Sequence, residues 1–193
     1  MKTIVIILFV VIISLLVFYF IFIGNPDKYE PEIVKLNEPI KLIGIEVQTD
    51  DKSIYKDAGR ISKRFNEIKS RNPVPDLKQP WARLYVSKDY NAEARTFKYI
   101  VGDVVTQIDS IPEGLNYYEV PASVYAVFTI KPKSKLAWGI TMGRMKRYIF
   151  TKWLPVSGYE ASGIIDDFEL HDERSLGKIP QIDLYVALKE AGE

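Results

Sequence analysis

Glu169 and His171, in the strand-like run DFELH, are the side chains whose types and spacing could do chemistry. They stand two apart, so an extended strand puts both on one face and Phe168 and Leu170 on the other. A carboxylate beside an imidazole is an acid/base pair in the making. His171 is the single histidine of the 193 residues, and the chain has no cysteine. Without thiols, one histidine cannot build a metal site or a conventional hydrolase triad unless its partners are unusual. No metal is therefore expected, and catalysis ranks below binding. A second polar and aromatic face lies upstream, where Trp81, Arg83, Tyr85 and Ser87 alternate with Ala82, Leu84 and Val86.

The elements that carry these faces follow an order that occurs twice. Ile40 to Thr49 reads as a strand, with Ile43, Ile45 and Val47 in period two. A helix follows from Ser53 to Arg71, where Ile54, Ala58, Ile61, Phe65 and Ile68 form one apolar stripe before Asn72 and Pro73 end it. Strands over Ala82–Ser87 and Thr96–Val105 complete the unit, with KDYNAEA as the turn between them. The second half repeats the order. A long strand over Tyr117–Ile130 leads to a helix from about Ser134 to Trp153, then strands over Ile164–His171 and Gln181–Leu188. The expected fold is α+β, built from duplicated β-α-β-β units with pseudo-twofold symmetry, and a groove between the copies is the natural ligand site.

Ahead of residue 25 the chain has a different character. Thr3 to Ile23 carries no charge, and as a helix it would span roughly 31 Å at about 1.5 Å per residue, the thickness of a bilayer core. Residues 1–24 are thus expected to be an uncleaved transmembrane anchor, with residues 3–23 in the membrane. Residues 25–39, with three prolines and mixed charge, read as an extended linker, and residues 40–190 as the domain. The expected location is a single-pass membrane protein, with flanking lysines leaning toward a cytosolic domain. The chain has 26 Lys plus Arg against 25 Asp plus Glu, so the domain is near neutral and no nucleic acid partner is expected. Its densest basic cluster, RMKRYIFTK at Arg144–Lys152, reads as a solvated helix face.

The stretches IPEGLNYYEVPASVYAVFTIK, KWLPVSGYE, DDFELHDE and IDLYVALK together resemble the GyrI-like domain, also called the AraC-type effector-binding domain, over roughly residues 40 to 188. The resemblance implies two β-α-β-β units around a cleft for small, often cationic or aromatic molecules, with no organic cofactor. It places the pocket carboxylate on Glu169, with Trp153 and Tyr159 as aromatic neighbours. His171 departs from the family pattern, which has tyrosine there, and this weakens the case for a hydrolase of strained-ring electrophiles built on Glu169. By internal symmetry the strand bearing Tyr85 is the counterpart of the one bearing Glu169, so Tyr85 is the next ligand-binding candidate, with Tyr118 and Tyr125 behind it. The leading expectation is a membrane-tethered, non-catalytic binder or sensor of a small-molecule ligand. The alternative is a membrane-anchored adaptor that binds a protein partner through the same domain.

Overall fold

The computed structural model describes residues 2–22, 29–80, 82–133, 137–163 and 166–190, with backbone alone at 2, 3, 18–22 and 190. Trp81 and the expected helix start at Ser134 lie outside them. In chain order the elements are α1 (Lys2–Phe22), β1 (Glu32–Lys35), β2 (Ile40–Asp50), α2 (Ile54–Arg71), β3 (Arg83–Asn91), β4 (Thr96–Val105), β5 (Asn116–Val120), β6 (Val124–Ile130), α3 (Trp138–Tyr148), β7 (Tyr159–Ala161), β8 (Asp167–His171) and β9 (Ile182–Glu190). The duplicated order is therefore present as β2-α2-β3-β4 and β6-α3-β8-β9.

All the strands join one antiparallel sheet in the order β1-β6-β9-β8-β3-β4-β2-β5, with β7 on the side of β9. The six central strands form a palindrome. Each unit contributes its first, third and second strand, and the two second strands meet as β8 and β3. Their register pairs Arg83 with His171, Tyr85 with Glu169 and Ser87 with Asp167, so the pseudo-twofold axis runs through the candidate residues.

The outermost strands are exchanged between the halves. β1, which precedes the first unit, pairs with β6 of the second, and β5, which precedes the second unit, pairs with β2 of the first. This exchange forces the sheet to curl. In a flat sheet β1 and β2 would lie six strand spacings apart, roughly 29 Å, while the five links from Lys35 to Ile40 reach at most about 18 Å. The inner face of the curl buries Leu42, Leu84, Val86, Ile100, Tyr125 and Phe168. Gly44 and Gly102 face each other across β2 and β4, and a Cβ on Gly44 would stand 2.1 Å from the Val101 carbonyl oxygen. Only glycine permits that approach.

The outer face carries the helices, each over its own half. The α2 stripe packs Ile61 and Phe65 against Ile43, Ile45 and Val101. Met142, Met145 and Ile149 pack against Ala126, Phe128, Leu184 and Val186. The central pair β3 and β8 is left between the two helices, and there the outer face opens into a cleft.

Several expectations are corrected. The strand expected over Tyr117–Ile130 breaks into β5 and β6, because Pro121 has no amide hydrogen to continue a ladder. Within the expected linker, residues 32–35 form β1. The second helix is α-helical only to Tyr148 and continues as a π-turn over Ile149–Trp153 and a 3-10 turn over Leu154–Val156. The transmembrane anchor is corrected as well. Among the described residues no helix is long and apolar enough to cross a membrane. The single-pass membrane location and the membrane partner expected for residues 3–23 fall with it.

Candidate functional site

Period-two geometry sets which side chains reach the cleft. On β3 the outward residues are Arg83, Tyr85 and Ser87, and on β8 they are Asp167, Glu169 and His171, while Leu84, Val86 and Phe168 turn into the inner core. The cleft has a volume of about 650 Å³. Tyr85 and Glu169 form part of its floor, Lys146, Arg147 and Phe150 come from the α3 side, and Asp51, Asp89, Tyr90 and Phe97 come from the first half. Ala161 to Gly163, Asp166 and Asp167 line the second-half side. Phe150 projects from the π-turn with 43% of its surface exposed, and Tyr90 is 54% exposed. Both present aromatic surface to a ligand with little role in the core.

Glu169 does not face the cleft as a bare carboxylate. Its side chain is 13% exposed, with Lys146 Nζ 3.3 Å from one oxygen and His171 Nε2 3.4 Å from the other. Burial alone would raise its pKa, but the Lys146 ammonium and the His171 contact outweigh burial and hold it below the ordinary value. His171 lies against the Tyr85 ring at 4.4 Å between centroids and near Trp138 at 6.1 Å. The Tyr85 hydroxyl is 3.3 Å from the Ser62 hydroxyl on α2, which ties the floor of the cleft to the first helix.

The other carboxylates differ in how they are matched. Asp51 pairs with Arg95 at 2.8 Å, Asp89 with Lys98 at 3.1 Å and Asp166 with Lys88 at 3.5 Å. Asp167 has no cation within ion-pair distance among the described residues. Its Oδ1 accepts the Ala187 amide hydrogen at 2.9 Å, yet burial still lifts its pKa from 3.8 to about 6. Burial raises Asp166 too. Five carboxylates and two cations line the cleft among aromatic rings, and three of those carboxylates are paired with cations outside the lining. Among the described residues no group of His, Cys, Asp and Glu could hold a metal ion.

The structure thus joins Glu169 and Tyr85 in the cleft and sets His171 directly behind them. It does not bring the remaining candidates there. Trp153 packs edge-on against Phe128 at 5.2 Å and Tyr159 joins the same α3-side cluster. Tyr125 is wholly buried on the inner face, with its hydroxyl donating to the Pro121 carbonyl at 2.8 Å, and Tyr118 packs on that same face. Sequence reasoning missed Asp167, although it shares the Glu169 face at a spacing of two. It also missed Lys146, which the basic cluster hid: its ammonium reaches Glu169 at 3.3 Å while the side chain stays 43% exposed. Asp89 and Tyr90, in a segment read as a turn, belong to the end of β3.

Comparisons with known proteins agree with this architecture. The transcriptional regulator BrlR of Pseudomonas aeruginosa is 32% identical over 95 residues, which cover 48% of this chain and 33% of the regulator. The chain therefore spans about a third of that relative's length. Among solved structures, the integron cassette protein VCH_CASS2 of Vibrio cholerae superposes with a TM-score of 0.57 at 12% identity, over 83% of this chain and 97% of that one. A structure of SAV2435 bound to tetraphenylphosphonium superposes with a TM-score of 0.60 at 13% identity, over 84% of this chain and 94% of that one. At such identities the likeness is one of fold. The sequence match is broader: over residues 32–188, from the exchanged strand β1 into β9, the chain belongs to the Cass2 family of integron-associated effector binding proteins.

Proposed function

We propose that this protein binds a cationic, aromatic small molecule in the cleft between its two halves and does not transform it. The observation that carries the reading is the cleft itself, about 650 Å³ in volume and lined by five carboxylates, two cations and the rings of Tyr85, Tyr90, Phe97 and Phe150. A volume of that order suits a drug-sized ligand. Aromatic faces attract an organic cation by about 0.5–2 kcal/mol each, and a carboxylate of the lining without an ion-pair partner among the described residues, Asp167, favours the same charge. The bound tetraphenylphosphonium of the SAV2435 structure, an aromatic cation, supports the same ligand class. Binding without turnover follows from the state of Glu169. A carboxylate held by Lys146 and His171 below its ordinary pKa is a poor proton acceptor and a poor nucleophile.

Calorimetric titration with tetraphenylphosphonium, and with the neutral triphenylphosphine oxide of similar shape, tests the reading. The cation is expected to bind more tightly, and Phe150→Ala and Tyr90→Ala are each expected to weaken it roughly threefold to tenfold while leaving thermal stability nearly unchanged. Equal binding of the two probes, or no binding of either, rules the proposal out.

A further inference from the structure

Glu169 would be the obvious counter-ion for a cation in this cleft, but it is already matched. Lys146 and His171 hold both of its oxygens, so a ligand that paired with it would first have to displace an ammonium carried by α3. Asp51, Asp89 and Asp166 each have a cation of their own. Asp167 alone among the lining carboxylates has none within ion-pair distance among the described residues. One of its oxygens is fixed by the Ala187 amide, which orients the group and leaves the other oxygen without a hydrogen-bond partner among the described residues. The residue sits beside Glu169 on the outward face of β8 and opposite Ser87, so it is neighboured by a small side chain that leaves room above it.

We propose that Asp167 is the counter-ion for the bound cation, and that Glu169 with Lys146 forms a neutral wall of the same cleft. The proposal rests on the cation-binding reading above and assigns its charge contact. Asp167 is the lining carboxylate that a ligand cation can meet without displacing another ammonium or guanidinium. Recessed in the wall, that group gains more from an incoming charge than a solvated one would.

The test must treat Glu169 and Lys146 together, since Glu169→Gln alone would leave the Lys146 charge uncompensated and repel a cation for an unrelated reason. Tetraphenylphosphonium affinity is measured by calorimetry for the wild type, Asp167→Asn and the paired Glu169→Gln/Lys146→Met variant. Asp167→Asn is expected to weaken binding tenfold or more, and the paired variant to stay within about threefold of wild type. Triphenylphosphine oxide serves as a check on the shape of the cleft. Asparagine can still accept the Ala187 amide hydrogen, so affinity for the neutral probe is expected to hold in Asp167→Asn. A tenfold loss in the paired variant, an undiminished affinity in Asp167→Asn, or a parallel loss of the neutral probe overturns the assignment while cation binding itself stands. If the wild type binds no cation, both readings fall.

Discussion

Replacing Asp167 by asparagine should make the protein more stable, with a pH signature that identifies the cause. In the folded protein burial holds this carboxyl near pKa 6, against 3.8 for the free group. Between those values the folded state binds the proton more tightly, so the ionised side chain lowers stability as pH rises through the window. The gap corresponds to at most about 3 kcal/mol at 1.36 kcal/mol per pH unit. Asp167 is partly open to the cleft, where water softens the cost, and we expect roughly half of that, about 1–2 kcal/mol. Asparagine keeps the shape and the bond from the Ala187 amide but never ionises. Urea unfolding of the two proteins from pH 4 to pH 8 should therefore give the same stability near pH 4, with a variant advantage that grows to its full size above pH 6. Glu169 contributes with the opposite sign, through a lowered pKa whose stabilisation is lost as pH falls, but it is common to both proteins and cancels in the difference. An advantage that does not change with pH, or a variant that is less stable at pH 7, would refute the argument. A residue whose removal raises stability and lowers affinity is the signature of a binding site maintained at a cost to the fold.

Three further outcomes follow from the geometry. Tetraphenylphosphonium affinity should fall about tenfold from pH 7 to pH 5 as Asp167 protonates near pH 6, in a field set by Asp166 and Glu169 beside it, Lys146 and Arg147 from α3, and Lys88 and Asp89 from β3; calorimetry across that range reads it, and Asp167→Asn should flatten the profile. Gly44→Ala should cost about 3 kcal/mol or more or prevent folding, because its Cβ would stand 2.1 Å from the Val101 oxygen; circular dichroism during heating reports it. Asp103→Ala should lose about 3 kcal/mol by urea unfolding, since it strands the Lys69 ammonium and the Arg83 guanidinium, which lie against one buried carboxylate.

Much of the site's placement was legible in the sequence, because period-two alternation assigns a face without knowledge of the fold. It put Glu169 and His171 on one face of their strand and Tyr85 on one face of its own with Arg83 and Ser87, and the duplicated order placed the two strands as counterparts. The α2 stripe was equally plain, since its five apolar positions repeat at helical spacing. What stayed hidden depends on contacts between distant segments. Pro121 shows where a ladder must break, but not that the strand before it joins the first half. The sequence around Tyr125 and Tyr118 does not say which face of their strands turns inward, and that depends on the curl of the sheet. Lys146 sits in a cluster of four cations where local pattern favours solvent, and only the approach of β8 gives it a carboxylate. Trp153 shows the converse, an aromatic at the end of a helix whose π-turn carries it against Phe128 instead of into the cleft.

The exchanged strands also bear on how the protein is made. During synthesis Glu32–Lys35 emerges long before its partner, since β1 pairs with residues 124–127, and β2 likewise waits for β5. A nascent chain ending before residue 116 leaves both β1 and β2 without these neighbours. One ending before residue 124 still leaves β1 unpaired and the inner face open to water, so the sheet cannot complete itself from the first half alone. Closure of the curl, and with it the cleft, is therefore a late event in which both halves must take part.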